Sequence, residues 1–332
     1  MRLLRASTLA LVACGSATTS TTPEPPRFTA ATSEVAQTYQ QCWKLWNTKW
    51  TELGSCYDDA IVSEEPGSGS PPWRGKPAVM GHVELFKHVF PDARGDLQLV
   101  LVNGSQVASI ALVTGTHAGA MKRPGGEIAP TNKRIGLFLA HAQELGADRR
   151  STSELIFLDH AALWGQLGLF RGPHRSKVET ASAEPAVVIA ANDAVERANL
   201  EAFKRRIEHL NAHDARAVAS GLADDAVWSD FAIPADLDKR SAVALFENLW
   251  RGFSDLRFTV RAPWAAGDYV VAVGSMDGTN DGEVPMMGLG KTGRALALPY
   301  LEIVKFRDGK VVSSWMFYDG LGLIAQLGLA PS

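Results

Sequence analysis

The sequence predicts an α+β protein made of two copies of one domain, each with three helices packed on a curled antiparallel sheet. Three observations lead there. The passage VVSSWMFYDGLGLIAQLG (Val311 to Gly328) has an earlier counterpart in ELIFLDHAALWGQLG (Glu154 to Gly168), with Asp159 standing where Asp319 stands. Shorter pairs recur in the same order: Asp58-Asp59-Ala60-Ile61-Val62 with Asp224-Asp225-Ala226-Val227-Trp228, Phe90-Pro91-Asp92 with Phe253-Ser254-Asp255, and Gly115-Thr116 with Gly278-Thr279. Within each copy helical periodicity comes first and strand-like alternation follows, an order that gives a layered α+β fold and not parallel βαβ units. A strongly curled sheet leaves a pocket between itself and the helices.

In the first copy, Ser33 is a candidate N-cap, and Val35, Tyr39, Cys42, Trp43 and Trp46 form a helical apolar stripe. A second helical piece is expected from Thr51 to Tyr57, then a short strand from Asp58. GSGSPPWRG (Gly67 to Gly75) is a loop by composition. Lys76 to Phe90 is helical, with Val79, Val83, Phe86 and Phe90 on one side. Strands are expected at Leu97 to Val102, Val107 to Thr116, Ile135 to Gln143 and Thr152 to Leu158, then a closing helix from Ala161. Arg171 to Pro185 is polar and aperiodic and reads as linker. The second copy repeats the order: helices at about Asp193 to Leu210, Ala215 to Leu222 and Ser241 to Phe253, then strands at Leu256 to Ala262, Tyr269 to Thr279, Ala295 to Phe306 and Lys310 to Tyr318. Arg307-Asp308-Gly309-Lys310 is a hairpin turn, the Asp-Gly pair supplying its left-handed positions. The division is 1–27 signal and tether, 28–172 first domain, 173–190 linker, 191–332 second domain.

The 332 residues suit about two domains. A net charge of −3 gives no strong field, so no nucleic-acid partner is expected. No apolar run reaches the ~20 residues a membrane-spanning helix needs. The start has Arg2 and Arg5, an apolar stretch from Leu9 to Ala13, and then Leu11-Val12-Ala13-Cys14, which resembles the lipobox of bacterial lipoproteins. That resemblance implies lipid attachment at Cys14 and an exported protein tethered to a membrane surface, with Gly15 to Arg27 as a flexible spacer. In such a compartment Cys42 and Cys56 either pair or stay as buried thiols.

NAHDARAVASGLADDAVWSD (Asn211 to Asp230), FSDLRF (Phe253 to Phe258), Gly278-Thr279 and the closing IVKFRDGKVVSSWMFYDGLGLIAQLG resemble SnoaL-like polyketide cyclases. Those cyclases share a cone-shaped fold with nuclear transport factor two and ketosteroid isomerase. The first copy shows the resemblance through Tyr57-Asp58-Asp59-Ala60, Phe90-Pro91-Asp92, Gly115-Thr116-His117 and Asp159 to Gly168. The resemblance implies two cones arranged as an internal pseudo-dimer, a small apolar ligand, and cyclisation, isomerisation or ester chemistry without cofactor or metal. In the family an Asp four residues after a Trp acts as general acid/base. Trp315 and Asp319 match both positions, whereas Leu155 replaces the Trp before Asp159.

Asp319 and Asp159 are therefore the catalytic candidates. Strand alternation puts Ser313, Trp315, Phe317 and Asp319 on one face, where aromatic rings would desolvate the carboxyl and raise its pKa. Each Asp also precedes a helix, where it serves equally well as an N-cap. Trp228, Asp230, Tyr300, Trp315, Phe317 and His141 are the expected pocket residues, with the second cone as the main binding site. The competing function is a non-catalytic surface lipoprotein that binds a hydrophobic ligand or a protein partner.

Overall fold

The computed structural model describes residues 30–123, 126–182 and 184–329. Cys14, the signal and the proposed spacer lie outside the described residues. The first copy runs α1 (Ala30–Thr48), a 3-10 turn (Trp50–Cys56), β1 (Tyr57–Glu64), β2 (Trp73–Arg74), α2 (Lys76–Val89), β3 (Arg94–Asn103), β4 (Gln106–Thr116), the hairpin β5 (Met121–Arg123) and β6 (Gly126–Ile128), β7 (Arg134–Leu145), β8 (Ser151–Phe157) and α3 (His160–Gln166). The chain then passes through β9 (Ala186–Ile189). The second copy runs α4 (Ala194–Asn211), α5 (Ala215–Ser220), β10 (Leu222–Asp230), β11 (Leu237–Asp238), α6 (Lys239–Gly252), β12 (Arg257–Ala266), β13 (Tyr269–Thr279), β14 (Ala295–Arg307), β15 (Lys310–Phe317) and α7 (Gly320–Gln326).

The sheet orders are β2-β1-β8-β7-β4-β3-β9 and β11-β10-β15-β14-β13-β12. Both differ from the expected all-antiparallel meander in one respect. The first long strand of each copy pairs in parallel with the last, β1 with β8 and β10 with β15. A parallel pair needs a long crossover, and here the rest of the copy supplies it. The linker also differs from expectation: Ala186–Ile189 adds a parallel edge strand to β3 of the first sheet.

The repeated sequence signals are the clamps that close each cone. Asp92 accepts bonds from Thr116 N and Oγ1 at 2.6 and 2.8 Å, and Asp255 accepts from Thr279 N and Oγ1 at 2.6 and 2.9 Å. The repeated Gln of each last helix reaches a central strand: Gln166 accepts from Gly136 N and Gln326 from Ala297 N. Caps place the helices as well. Asp193 and Glu196 form a capping box at the start of α4, and Asp238 caps α6. Asp308 and Gly309 take φ of 52° and 73°, as the hairpin turn requires.

The inner face of each sheet packs on its own helices. The outer faces pack on each other. One apolar cluster joins Leu99, Leu101 and Ile110 of the first sheet to Phe231, Leu301 and Phe317 of the second. Phe231 stacks on Phe317 at 4.3 Å between ring centroids and meets Phe138 at 5.5 Å. The two cones are an internal pseudo-dimer, joined back to back by apolar surface that neither could leave in water.

Candidate functional site

Each cone holds a cavity between sheet and helices, and the two differ in size. The first copy's cavity has a volume of ≈ 120 Å³ and the second's ≈ 30 Å³. An apolar cavity of about 150 Å³ takes benzene, whereas one of ~15 Å³ holds a single water. The first cone therefore has room for a small ligand and the second is nearly filled.

Strand register shows why. Asn47 and Asn211 each exchange two bonds with strand backbone, at Gly95 and Phe258, which aligns Cys42 with Arg206. Ser63 pairs with Glu154 as Trp228 pairs with Ser314, and His141 pairs with Ile156 as Glu302 pairs with Met316. The second cone thus carries a Trp where the first has Ser63, and an Arg where the first has Cys42. Arg206 forms a two-pronged ion pair with Glu302 at 3.0 and 2.8 Å, and Ser314 Oγ donates to the same carboxylate at 2.7 Å. The Trp228 ring lies 4.9 Å from the guanidinium and fills the remaining space. In the first copy Cys42 forms a disulfide with Cys56, and both line the open cavity.

The first cavity is walled by Trp43, Trp46, Tyr57 and Phe86 and carries Glu65, His82, His141 and Glu154. His141 Nδ1 lies 3.4 Å from Glu154 Oε1. The two groups are within ion-pair distance, yet Nδ1 makes no hydrogen bond among the described residues. Burial pushes His141 below the ordinary imidazole value and outweighs the opposing pull of Glu154 and Glu65, so the ring is neutral. Glu154 is fixed by Ser63 Oγ at 2.8 Å and by Gln143 Nε2. Tyr57 is 7% exposed, and its hydroxyl has no hydrogen-bond partner among the described residues. Burial raises its pKa well above 10.0, so it stays a neutral donor. At Glu65, burial acts to raise the carboxyl's pKa, but His82, His160 and His141 together hold it below the ordinary value.

Asp319 and Asp159 sit elsewhere, at the seam between the copies, and this corrects the expectation that they work inside a cone. Asp159 caps α3 through Ala161 N and Ala162 N and also accepts Gly320 N of the second copy at 3.0 Å. Asp319 caps α7 through Leu321 N and accepts His160 N and His160 Nδ1 of the first copy at 3.3 and 3.2 Å. The helix starts meet across the pseudo-twofold axis and share their caps. Burial raises Asp159 to about 6 against its donors. Burial opposes charge on His160, but the bond and charge of Asp319, with Glu65, raise it to about 9.

The remaining expected residues divide. Trp315 and Phe317 are corrected: they face the interdomain cluster, while Met316 and Tyr318 face the cone. Pleat alternation was sound but the choice of inward face was inverted, since both faces of this strand are apolar. Tyr300 packs in the second core, its hydroxyl donating to Thr259 O at 3.4 Å, and it does not line the cavity. Trp228 and Asp230 line the small second cavity, where Tyr318 Oη donates to Asp230 at 3.0 Å and burial raises Asp230 to about 7. His141 belongs to the larger, first cavity. Sequence reasoning missed Tyr57, Glu65, His82 and Glu154 as site residues. The signal at Glu154 was a lone carboxylate opening an apolar strand, and only cross-strand register sets it beside His141.

Two family models match the chain: SnoaL-like polyketide cyclase over residues 33–149 and the SnoaL-like domain over residues 203–314. Among solved structures, a candidate SnoaL-like polyketide cyclase from Jannaschia sp. CCS1 is 21% identical, with TM-score 0.38, over 42% of this chain and 97% of that one. IdmH, a candidate polyketide cyclase from Streptomyces antibioticus, is 26% identical, with TM-score 0.34, over 39% of this chain and 98% of that one. AclR, a candidate hydroxylase from Streptomyces galilaeus, is 25% identical, with TM-score 0.37, over 41% and 85%. No curated protein matches the chain.

Proposed function

Both halves of the chain belong to the SnoaL-like family, and on that premise we propose that the protein binds a small, largely apolar molecule in its first cone and moves a proton on it. The His141 imidazole is the general base, the Glu154 carboxylate beside it stabilises the imidazolium that forms, and the Tyr57 hydroxyl is the neutral donor that meets a ligand oxygen. The reaction class is cyclisation or isomerisation by acid/base steps. The observation that carries this reading is the ≈ 120 Å³ aromatic-walled cavity with a carboxylate-backed imidazole in it. A neutral imidazole has a free nitrogen lone pair that takes a proton from a bound ligand and returns it.

The test uses cyclopentanone, a small enolisable ketone, and follows deuterium uptake from D₂O beside its carbonyl. The native chain is expected to catalyse exchange, and His141→Gln to lose about 100-fold or more while still binding the ketone. Ser63→Trp, which imports the plug of the second cone, should abolish both binding and exchange. Binding without exchange in the native chain would favour the non-catalytic ligand-binding role. Exchange that survives both substitutions would refute the site.

The same reading places the protein outside the cytoplasm on a lipid anchor at Cys14. The Cys42–Cys56 disulfide supports an oxidising compartment.

A further inference from the structure

The second cone is filled, yet one of its residues reaches the first cone's site. His160 lies between two carboxylates from different copies. Its Nδ1 is 3.2 Å from Asp319 Oδ2 and its Nε2 is 3.8 Å from Glu65 Oε2. Glu65 Oε1 in turn lies 3.6 Å from His82 Nε2, and Glu65 and His82 both line the open cavity. The His82 ring is held flat against Trp73 at 3.8 Å. All of these groups are shielded: the side chains of Asp319, Glu65 and His160 are 5%, 13% and 21% exposed. In the second copy Asp230 occupies the register position of Glu65, and its carboxylate meets a tyrosine instead of an imidazole.

Resting on the reading of the first cavity as the working site, we propose that the second copy completes that site: Asp319 is a positioning residue that, through His160, keeps Glu65 ionised and fixed at the cavity wall. An imidazolium between two carboxylates is stabilised by both, and it holds the nearer one in its charged form. Remove Asp319 and His160 loses its main support for carrying charge in a buried place. A neutral His160 no longer favours ionised Glu65, whose carboxyl then gains a proton at higher pH. The groups facing His160 are Asp319, Glu65 and Asp159. Those facing Glu65 are His82, His160 and His141. The arrangement gives a reason for a two-copy chain with one open cavity: the filled cone supplies the carboxylate that pairs with His160 behind the open cone's wall.

The experiment uses the full chain and toluene, a small neutral apolar ligand whose binding is followed by calorimetry and whose affinity rises when the cavity wall loses charge. Asp319→Asn keeps an oxygen for the Leu321 N–H and removes only the charge. In this variant the rise in probe affinity is expected at a higher pH than in the parent, by about one unit or more. His160→Gln should give the same displacement, and the double variant no more than either. Asp159→Asn, which loosens the same seam and removes a more weakly coupled charge that faces His160 without bonding it, should move the profile less than Asp319→Asn does. An unmoved profile in Asp319→Asn and His160→Gln, or an equal shift in Asp159→Asn, overturns the proposal. Imidazole NMR supplies a second measurement. His160 should titrate near 9 in the parent and near or below the ordinary ~6.5 in Asp319→Asn. If the probe fails to bind the parent, the reading of the cavity fails, and the NMR titration still decides the link: a value that stays near 9 in the variant overturns it.

Discussion

Replacing Glu302 by Gln keeps the shape of the side chain and removes its charge. Arg206 is then left as a lone guanidinium whose side chain is 7% exposed, opposite a partner position that is 2% exposed. Breaking one side of a buried pair costs about 3–5 kcal/mol, because the remaining charge has neither water nor counter-ion. Ser314 Oγ keeps an amide oxygen as acceptor, so it adds little to the loss. The double variant Arg206→Met with Glu302→Leu removes both charges and leaves only the Ser314 hydroxyl unpaired, a cost of about 1–3 kcal/mol. Apolar replacement of a buried pair is itself neutral or stabilising by about 1–4 kcal/mol, so the double variant should match the parent or exceed it. Urea unfolding followed by tryptophan fluorescence measures both, since Trp228 and Trp250 lie in the second core. A loss below about 1 kcal/mol for Glu302→Gln, or a double variant as unstable as the single one, would refute the view that this pair is a structural plug. Exchange on cyclopentanone should be unaffected in the double variant, because the working cavity lies in the other copy.

Two further outcomes are expected, one from the second core and one from the sequence at Cys14. Asp230 has a folded pKa near 7 against about 3.9 unfolded, so the folded state binds the extra proton between those values and stability falls as pH rises through that window. Asp230→Asn should flatten this decline, which is worth roughly 4 kcal/mol by pH 8, and chemical unfolding at pH 4, 6 and 8 reads it directly; a decline of unchanged size would assign it to other groups. Lipid attachment at Cys14 predicts that metabolic labelling with palmitate marks the native chain and disappears in Cys14→Ser, and a label that persists in the variant rejects the anchor at that residue.

The duplication, the element order and the clamping residues were legible in the chain because each is a local or repeated signal. Asp92 and Asp255 recur ahead of Thr116 and Thr279 because each cone needs the same bond to close. Gln166 and Gln326 recur because each last helix must be pinned to a central strand. Capping by Asp159 and Asp319 was one of two open readings, and the helix starts carry it. The parallel pairing of β1 with β8 was not legible, since direction depends on where the chain returns and not on alternation.

The tertiary structure alone decided which cone is open. Ser63 and Trp228 look like unrelated residues until register makes them equivalents, and Cys42 and Arg206 likewise. It also decided which face of β15 turns inward. Trp315 and Phe317 alternate with Met316 and Tyr318, and all four are apolar enough for either side. A strand buried on both faces carries no amphipathic signal, so its orientation is set by what the second sheet presents to it. The seam is the same case: Asp319 meets His160 across half the length of the chain, at a contact that exists only once two sheets have packed back to back.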